Sequence, residues 1–237
     1  HSTYPKDIDE HLPILKKYAL ECDHITEMGV RCIVSTWALL MGKPKRLVSV
    51  DILHPSEFDE NIYKCDIPHH THNINEVEEV SKNIGCDFEF ILENTCNPSF
   101  KIEETDLLFI DTLHCYEQLT RELELHADKV RKYIIFHDTE TFGRNNSENW
   151  GNPKAINPFL QEGTFIPDKG LKNTVEEFLE EHKEWRIKKH YTNNNGLTIL
   201  EKRNDKIVVV STHFDHTNDK RLFTQTWVAG WTAIVIA

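Results

Sequence analysis

No apolar run in the 237 residues approaches the roughly 18 needed to span a bilayer, so a membrane-embedded protein is not expected. Positive charge is short: 27 Lys and Arg stand against 39 Asp and Glu, a formal net charge of −12. Such a chain is repelled by phosphate backbones and anionic lipid, so neither nucleic acid nor a membrane surface is an expected partner. The six cysteines (Cys22, Cys32, Cys65, Cys86, Cys96 and Cys115) include no CxxC pair and lie in a chain large enough to fold without covalent staples. They read as reduced thiols, and the protein as cytoplasmic. Behind His1 there is no basic n-region followed by an apolar core, so neither a secretion signal nor a transit peptide is expected. Internal repeats and low-complexity tracts are missing too. What is present, at 39% hydrophobic and 28% charged residues, suits one globular α/β domain.

Hydrophobic spacing supplies the architecture. Ile8, Leu12, Leu15, Ala19 and Cys22 recur at intervals of three and four, predicting an amphipathic helix over Ile8–Cys22 with Pro13 in its first turn. His24–Gly29 predicts a short strand, and Cys32–Met41 a helix closed by Gly42 and Pro44. Strand Arg46–Asp51 and helix Asn73–Gly85 complete a second βα unit, with Gly85 just past the helix end. Strands Phe88–Leu92, Asp106–Asp111 and Lys132–Asp138 follow, with a helix over Tyr116–Ala127. A helix at Leu171–His182 then precedes strands Trp185–Tyr191 and Gly196–Glu201, joined by Asn193-Asn194-Asn195-Gly196 as an antiparallel hairpin. This alternation predicts an α/β fold: a doubly wound, mostly parallel Rossmann-like sheet with a C-terminal antiparallel hairpin. Ligands in such sheets sit beyond the carboxyl ends of the strands, which directs attention to Glu27, Asp51, Asn94, Asp111 and Asp138. The polar stretch Thr139–Gly170 has the length of a binding loop or lid, with a short helix at Ala155–Leu160. Its Trp150, Phe159 and Phe165 are candidates to line an acceptor pocket.

Glu27-Met28-Gly29-Val30-Arg31 sits where the first strand meets its helix. Glycine permits a ligand to approach the backbone closely, the helix start offers N–H groups, and the strand-end acid accepts hydrogen bonds. The nicotinamide fingerprint GxGxxG is absent. Asp51 ends the second strand some two dozen residues on, where an acid binds ribose hydroxyls in nucleotide-binding α/β folds. Acids at both tips point to an adenosine ligand without a pyrophosphate. More specific is Asp111-Thr112-Leu113-His114 paired with His137-Asp138-Thr139, each behind a strongly apolar strand. Two carboxylates on one rim invite a divalent metal. Oxygen ligands with water suit Mg²⁺, whereas an inward His137 shifts preference towards Mn²⁺, Fe²⁺ or Zn²⁺. His114, one turn beyond Asp111, is placed to remove the proton of a hydroxyl held there, and an unperturbed imidazole pKa of about 6.5 suits that task. His69-His70-Thr71-His72 and His213-Phe214-Asp215-His216 look like metal clusters but read as solvated loops, the first lacking partnered Cys or Glu.

Glu27-x-Gly29-x-Arg31-x-x-x-Ser35, Asp51, Phe109-Ile110-Asp111-x-x-His114-x-Tyr116-Glu117, Phe136-His137-Asp138-Thr139 and Asn195-Gly196-Leu197-Thr198 together resemble class I S-adenosylmethionine-dependent methyltransferases. The resemblance runs from Ile8 to Lys202. It is greatest to the metal-dependent sugar O-methyltransferases of the mycinamicin type and the related cephalosporin hydroxylase and rhamnosyl O-methyltransferase family. It implies a methyltransferase fold in which Glu27 and Gly29 frame the methionine part of the cofactor. Arg31 and Ser35 belong to the same motif, Asp51 holds the ribose, and Asn94 and Thr95 lie near the adenine. It further implies Mg²⁺ or Mn²⁺ at Asp111 and Asp138, with His137 beside them, and His114 as general base. The family has Gly where Ile33 stands and an acid where His137 stands. The implied reaction is transfer of a methyl group to a hydroxyl of a sugar or glycosylated small molecule.

Two other classes stay open. One is a metal-dependent hydrolase using His69, His70, His72, Asp111, His137 and Asp138. The other is a non-catalytic binding module on a methyltransferase-like scaffold. Residues 1–203 read as the methyltransferase domain and 204–237 as a C-terminal extension. That extension is either an element for self-association, since Trp227, Val228, Trp231, Ile234, Val235 and Ile236 need burial, or the start of a further α/β domain opening at Lys206–Thr212.

Overall fold

A computed structural model describes residues 8–57, 73–145, 157–160 and 166–203. Apart from Arg203, these belong to a compact unit that ends at Lys202. Cys65, His69, His70, His72, Trp150, Phe165 and the whole extension 204–237 lie outside the described residues.

Strands β1 (His24–Met28), β2 (Arg46–Asp51), β3 (Asp87–Leu92), β4 (Thr105–Ile110), β5 (Val130–His137), β6 (Trp185–Tyr191) and β7 (Leu197–Lys202) form one seven-stranded sheet, in the order β3-β2-β1-β4-β5-β7-β6. The first five in that order run parallel; β7 is antiparallel to both β5 and β6. Every position of β4 is buried, because helices cover both faces of the sheet. Leu107 and Phe109 point into one core with Ile25, Leu47 and Ile135, which helices α1 (Leu12–Ala19), α2 (Val34–Leu40) and α3 (Ile74–Ile84) close with Leu15, Leu39 and Val77. Leu108 and Ile110 point into the other with Met28, Ile134 and Phe136, closed by Leu119 and Leu123 of α4 (Tyr116–His126) and Val175 and Phe178 of α5 (Leu171–Glu181). A central parallel strand buried on two faces has no polar side to show, which is why its sequence is an unbroken apolar run.

Helix ends follow local chemistry. Pro13 sits in the first turn of α1, where its missing N–H has no helical partner to lose, and the predicted start at Ile8 is replaced by a 3₁₀ turn over Asp9–His11. Asn73 caps α3 by accepting from the Asn75 N–H, and Gly85 ends it at φ +76°. Of the helix expected over Ala155–Leu160, residues 157–160 form a turn in which the Leu160 N–H donates to the Asn157 carbonyl. Cys22, Cys32, Cys86, Cys96 and Cys115 are buried free thiols. No helix among the described residues is long and apolar enough to cross a membrane.

Register sets up the site. Met28 pairs with Val50 on one side and Ile110 on the other, and Ile110 pairs with Phe136. The residues that follow, Gly29, Asp51, Asp111, His137 and Asp138, therefore gather along the carboxyl edge, where the strand order reverses between β1 and β4.

Gly29 has φ +84°, and a Cβ there would lie 2.0 Å from the Asp111 carbonyl oxygen. The close approach expected of this glycine is thus to the β4 exit of its own chain. Gly85 has a similar φ of +76° but open space around it. Urea denaturation should show Gly85→Ala costing about 1 kcal/mol, the left-handed penalty alone, and Gly29→Ala about 3 kcal/mol or more. Equal losses would contradict this account of the turn.

Candidate active site

The Asp111 N–H donates to the Met28 carbonyl (2.8 Å) and the Gly29 N–H to the Val50 carbonyl (2.9 Å), which stitches the exits of β1, β2 and β4 together. Asp51 then pins the loop after β1. Its Oδ2 accepts from the N–H groups of Val30 (2.7 Å) and Arg31 (3.0 Å), and its Oδ1 from that of Leu53 (3.0 Å). Within this loop Arg31 and Ile33 have φ of 46° and 54°. Ile33 thus keeps the left-handed backbone that glycine would supply without strain, and its side chain is fully buried in the core beneath. Burial of a large aliphatic group offsets the conformational penalty.

Asp111 and Asp138 converge. His114 Nε2 lies 2.7 Å from Asp138 Oδ2 and 3.3 Å from Asp111 Oδ1. One ligand atom from each of Asp111, His114 and Asp138 falls within 4.8 Å of the others, a spacing able to hold a metal ion. His137 Nδ1 is 3.4 Å from Asp111 Oδ2 and 3.6 Å from Asp138 Oδ2. Phe142 lies flat against the His114 ring, with centroids 4.7 Å apart and planes 17° from parallel. Burial alone would lower the His114 pKa, but its hydrogen bonds and charge contacts with both carboxylates win and push it up to about 10. Against its own burial, the Asp111 carboxyl is held well below the usual range by the charge of His137 and hydrogen bonds from His114 and His137. His114 as it stands is therefore a cation, not the half-titrated base that an ordinary imidazole would be. The donor set fits a divalent cation: two carboxylates to balance its charge, imidazole nitrogens beside them, and a buried Asp138 Oδ1 with no hydrogen-bond partner among the described residues.

The residues expected around the cofactor have partners of their own. Glu27 is fully buried and accepts hydrogen bonds from Ser35 (2.5 Å), Thr36 (2.7 Å) and Ser49 (2.7 Å). Asn94 exchanges amide hydrogen bonds with Asn157 (3.0 and 3.3 Å). Thr95 donates to Glu122 (2.5 Å), a fully buried carboxyl that also accepts from Gln118 (2.8 Å) and Thr112 (2.9 Å). Sequence reasoning missed Glu122, which ties the residue after Asp111 to the Asn94 loop. A signal was present: Gln118 and Glu122 stand four apart, next to the inward Leu119 and Leu123. Asn194 and Phe142 were missed as well; nothing in local sequence marks a carbonyl or a stacking ring. The histidines of the hydrolase alternative at 69, 70 and 72 lie outside the described residues.

No family model matches the chain, and no curated protein matches it. Solved structures do. A Staphylococcus aureus protein assigned provisionally as a caffeoyl-CoA O-methyltransferase superimposes with TM-score 0.51 at 11% identity, covering 82% of this chain and 83% of that one. Cofactor-bound Rv0187 from MTB superimposes with TM-score 0.50 at 14% identity, over 82% of this chain and 80% of the other. The fold is the Rossmann-like methyltransferase fold. Its antiparallel β6–β7 hairpin is the part that departs from an all-parallel sheet.

In this methyltransferase fold Glu27 lies beneath the loop after β1, and burial pushes its pKa up to about 7 against the pull of the three hydroxyls. Between the ordinary carboxylate value and 7 the folded state keeps a proton that the unfolded chain has lost, so stability falls as pH rises through that window. Replacing the carboxyl by an amide removes the penalty, about 3 kcal/mol at most. Thermal melts of Glu27→Gln should therefore show a shallower loss of stability from pH 5 to pH 8 than the parent, with Glu122 keeping part of the slope. An unchanged slope would show Glu27 to be ionised throughout.

Proposed function

We propose that the protein transfers a methyl group from S-adenosylmethionine to a hydroxyl of a sugar or glycosylated small molecule, with Mg²⁺ or Mn²⁺ held at Asp111, His137 and Asp138. The observation that carries this reading is the convergence of Asp111, His114 and Asp138 within 4.8 Å, beside the Gly29 turn of a methyltransferase fold. Ligands of doubly wound sheets bind at that reversal of strand order.

In the reaction a bond forms between the acceptor oxygen and the methyl carbon while the carbon–sulfur bond breaks, leaving a neutral thioether, and the acceptor gives up its proton. A divalent cation at this site supplies positive charge that lowers the pKa of an aliphatic hydroxyl, otherwise a poor nucleophile. Asp111 and Asp138 fix where that charge sits. With both carboxylates engaged by such a cation, His114 would no longer be held protonated, and its Nε2 would accept the hydroxyl proton. Phe142, stacked flat on the His114 ring, limits how that ring can turn. Asp51, through Val30 and Arg31, keeps the donor loop in its left-handed turns. Placement of this kind, with water excluded, accounts for much of the rate of an in-line transfer.

Calorimetry is expected to show one S-adenosylhomocysteine site per chain. EDTA should abolish methylation of hydroxylated acceptors, and Asp111→Ala should lower it about 100-fold or more. A chain that binds no adenosyl ligand is not this enzyme, and full turnover of Asp111→Ala in chelator would remove the metal from the mechanism.

A further inference from the structure

We infer that the cation locus is built for a first-row transition ion (Mn²⁺, Fe²⁺, Co²⁺ or Zn²⁺) in preference to Mg²⁺, because the β6–β7 turn holds His137 with Nδ1 facing Asp111 and Asp138. The inference rests on the cation of the proposed function and narrows it.

His137 is the last residue of β5, and its side chain is 1% exposed. Its Nε2 lies 3.2 Å from the Asn194 carbonyl oxygen. A carbonyl only accepts, so Nε2 carries a hydrogen, and Nδ1, which donates to Asp111 in the chain without a metal, is the nitrogen that would give up its proton to bind a cation. That nitrogen is the one 3.4 and 3.6 Å from the two carboxylates. A carbonyl on the far nitrogen is how metal-ligating histidines are oriented and made more basic.

The turn that provides this carbonyl is tightly fixed. Asn194, Asn195 and Gly196 have φ of 50°, 67° and 94°, three left-handed residues in succession. They send the Asn193 and Asn194 carbonyls inward, where the buried His11 Nε2 meets them at 3.0 and 3.2 Å. The Asn195 carbonyl accepts from the N–H groups of Glu140 (2.8 Å) and Thr141 (3.1 Å), just beyond Asp138. Glu10 adds two more ties, its N–H to Asn194 Oδ1 (3.1 Å) and its carboxylate to Asn193 Nδ2 (2.7 Å). The N-terminal segment and the β5 exit thus clamp Asn193, Asn194 and Asn195 between them, and His137 inherits the result.

A second observation points to a missing ligand at the same place. Asp138, with a side chain only 4% exposed, has Oδ1 buried without a hydrogen-bond partner among the described residues, while its Oδ2 already faces His114. Mg²⁺ prefers oxygen ligands and keeps several waters; imidazole beside carboxylate suits the later divalent ions.

The test uses the whole chain, stripped with EDTA and dialysed. Mg²⁺ and Zn²⁺ are titrated separately by calorimetry, and the zinc form is read by K-edge X-ray absorption. The expected result is zinc with at least one imidazole ligand. In His137→Asp that scattering drops by one imidazole, and the ratio of zinc to magnesium affinity falls about 10- to 100-fold. Because His114 could supply an imidazole of its own, the spectrum is also taken on His114→Gln, where one imidazole should remain on the zinc; its loss there would overturn the inference. Zinc bound by oxygen alone, or Mg²⁺ bound as tightly as Zn²⁺, overturns the inference and leaves the methyltransferase reading standing. Binding of neither ion overturns the cation in both. S-adenosylhomocysteine affinity, measured on the same sample, reports separately on methyl transfer.

Discussion

Two carboxylates, one buried and one half-buried, that reach for the same imidazole do not readily both stay ionised unless positive charge lies between them. Asp111 and Asp138 stand in that relation, and His114 supplies the charge from within the chain, 3.3 and 2.7 Å from the two. The raised pKa of His114 and the lowered one of Asp111 are two views of this one interaction. A divalent cation is the other way to satisfy the same constraint, and it would free His114 for proton transfer. Under the proposed function one positive charge would replace another.

The sheet makes this arrangement possible. Parallel β1, β4 and β5 end in register, so residues far apart in sequence leave the sheet within a few ångströms of one another. Gly29 lets the β1 exit pass directly over the Asp111 carbonyl, and Asp51 ties the following loop to β2. Beneath the rim, Glu27 and Glu122 are each surrounded by hydrogen-bond donors: three hydroxyls for Glu27, and two hydroxyls and an amide for Glu122. Buried polar groups satisfied in this way hold backbone exits in single positions, which is what a preorganised site needs.

Much of this was legible from spacing alone. β2 and β6 match their predicted limits, and the other described strands and α3, α4 and α5 start or end within two residues of them, because two-sided burial writes apolar runs and amphipathic helices write intervals of three and four. That the strand-end acids would gather at one edge was legible for the same reason, since parallel strands in register end together. Side-chain commitments were not. The hydrogen bonds of Asp51 to Val30, Arg31 and Leu53, and of Glu27 to Ser35, Thr36 and Ser49, are fixed by tertiary packing that spacing does not reveal. The state of His114 was equally hidden, since two carboxylates from different strands set it. Asn194 contributes through its backbone, which no residue type announces.

The most direct measurement is diffraction at the manganese absorption edge from crystals grown with Mn²⁺ and S-adenosylhomocysteine. The account predicts one anomalous peak bonded to an oxygen of Asp111 and an oxygen of Asp138, with the adenosyl compound beside the Gly29 turn. A peak elsewhere, or an empty rim with His114 still bridging both carboxylates at saturating manganese, would contradict it.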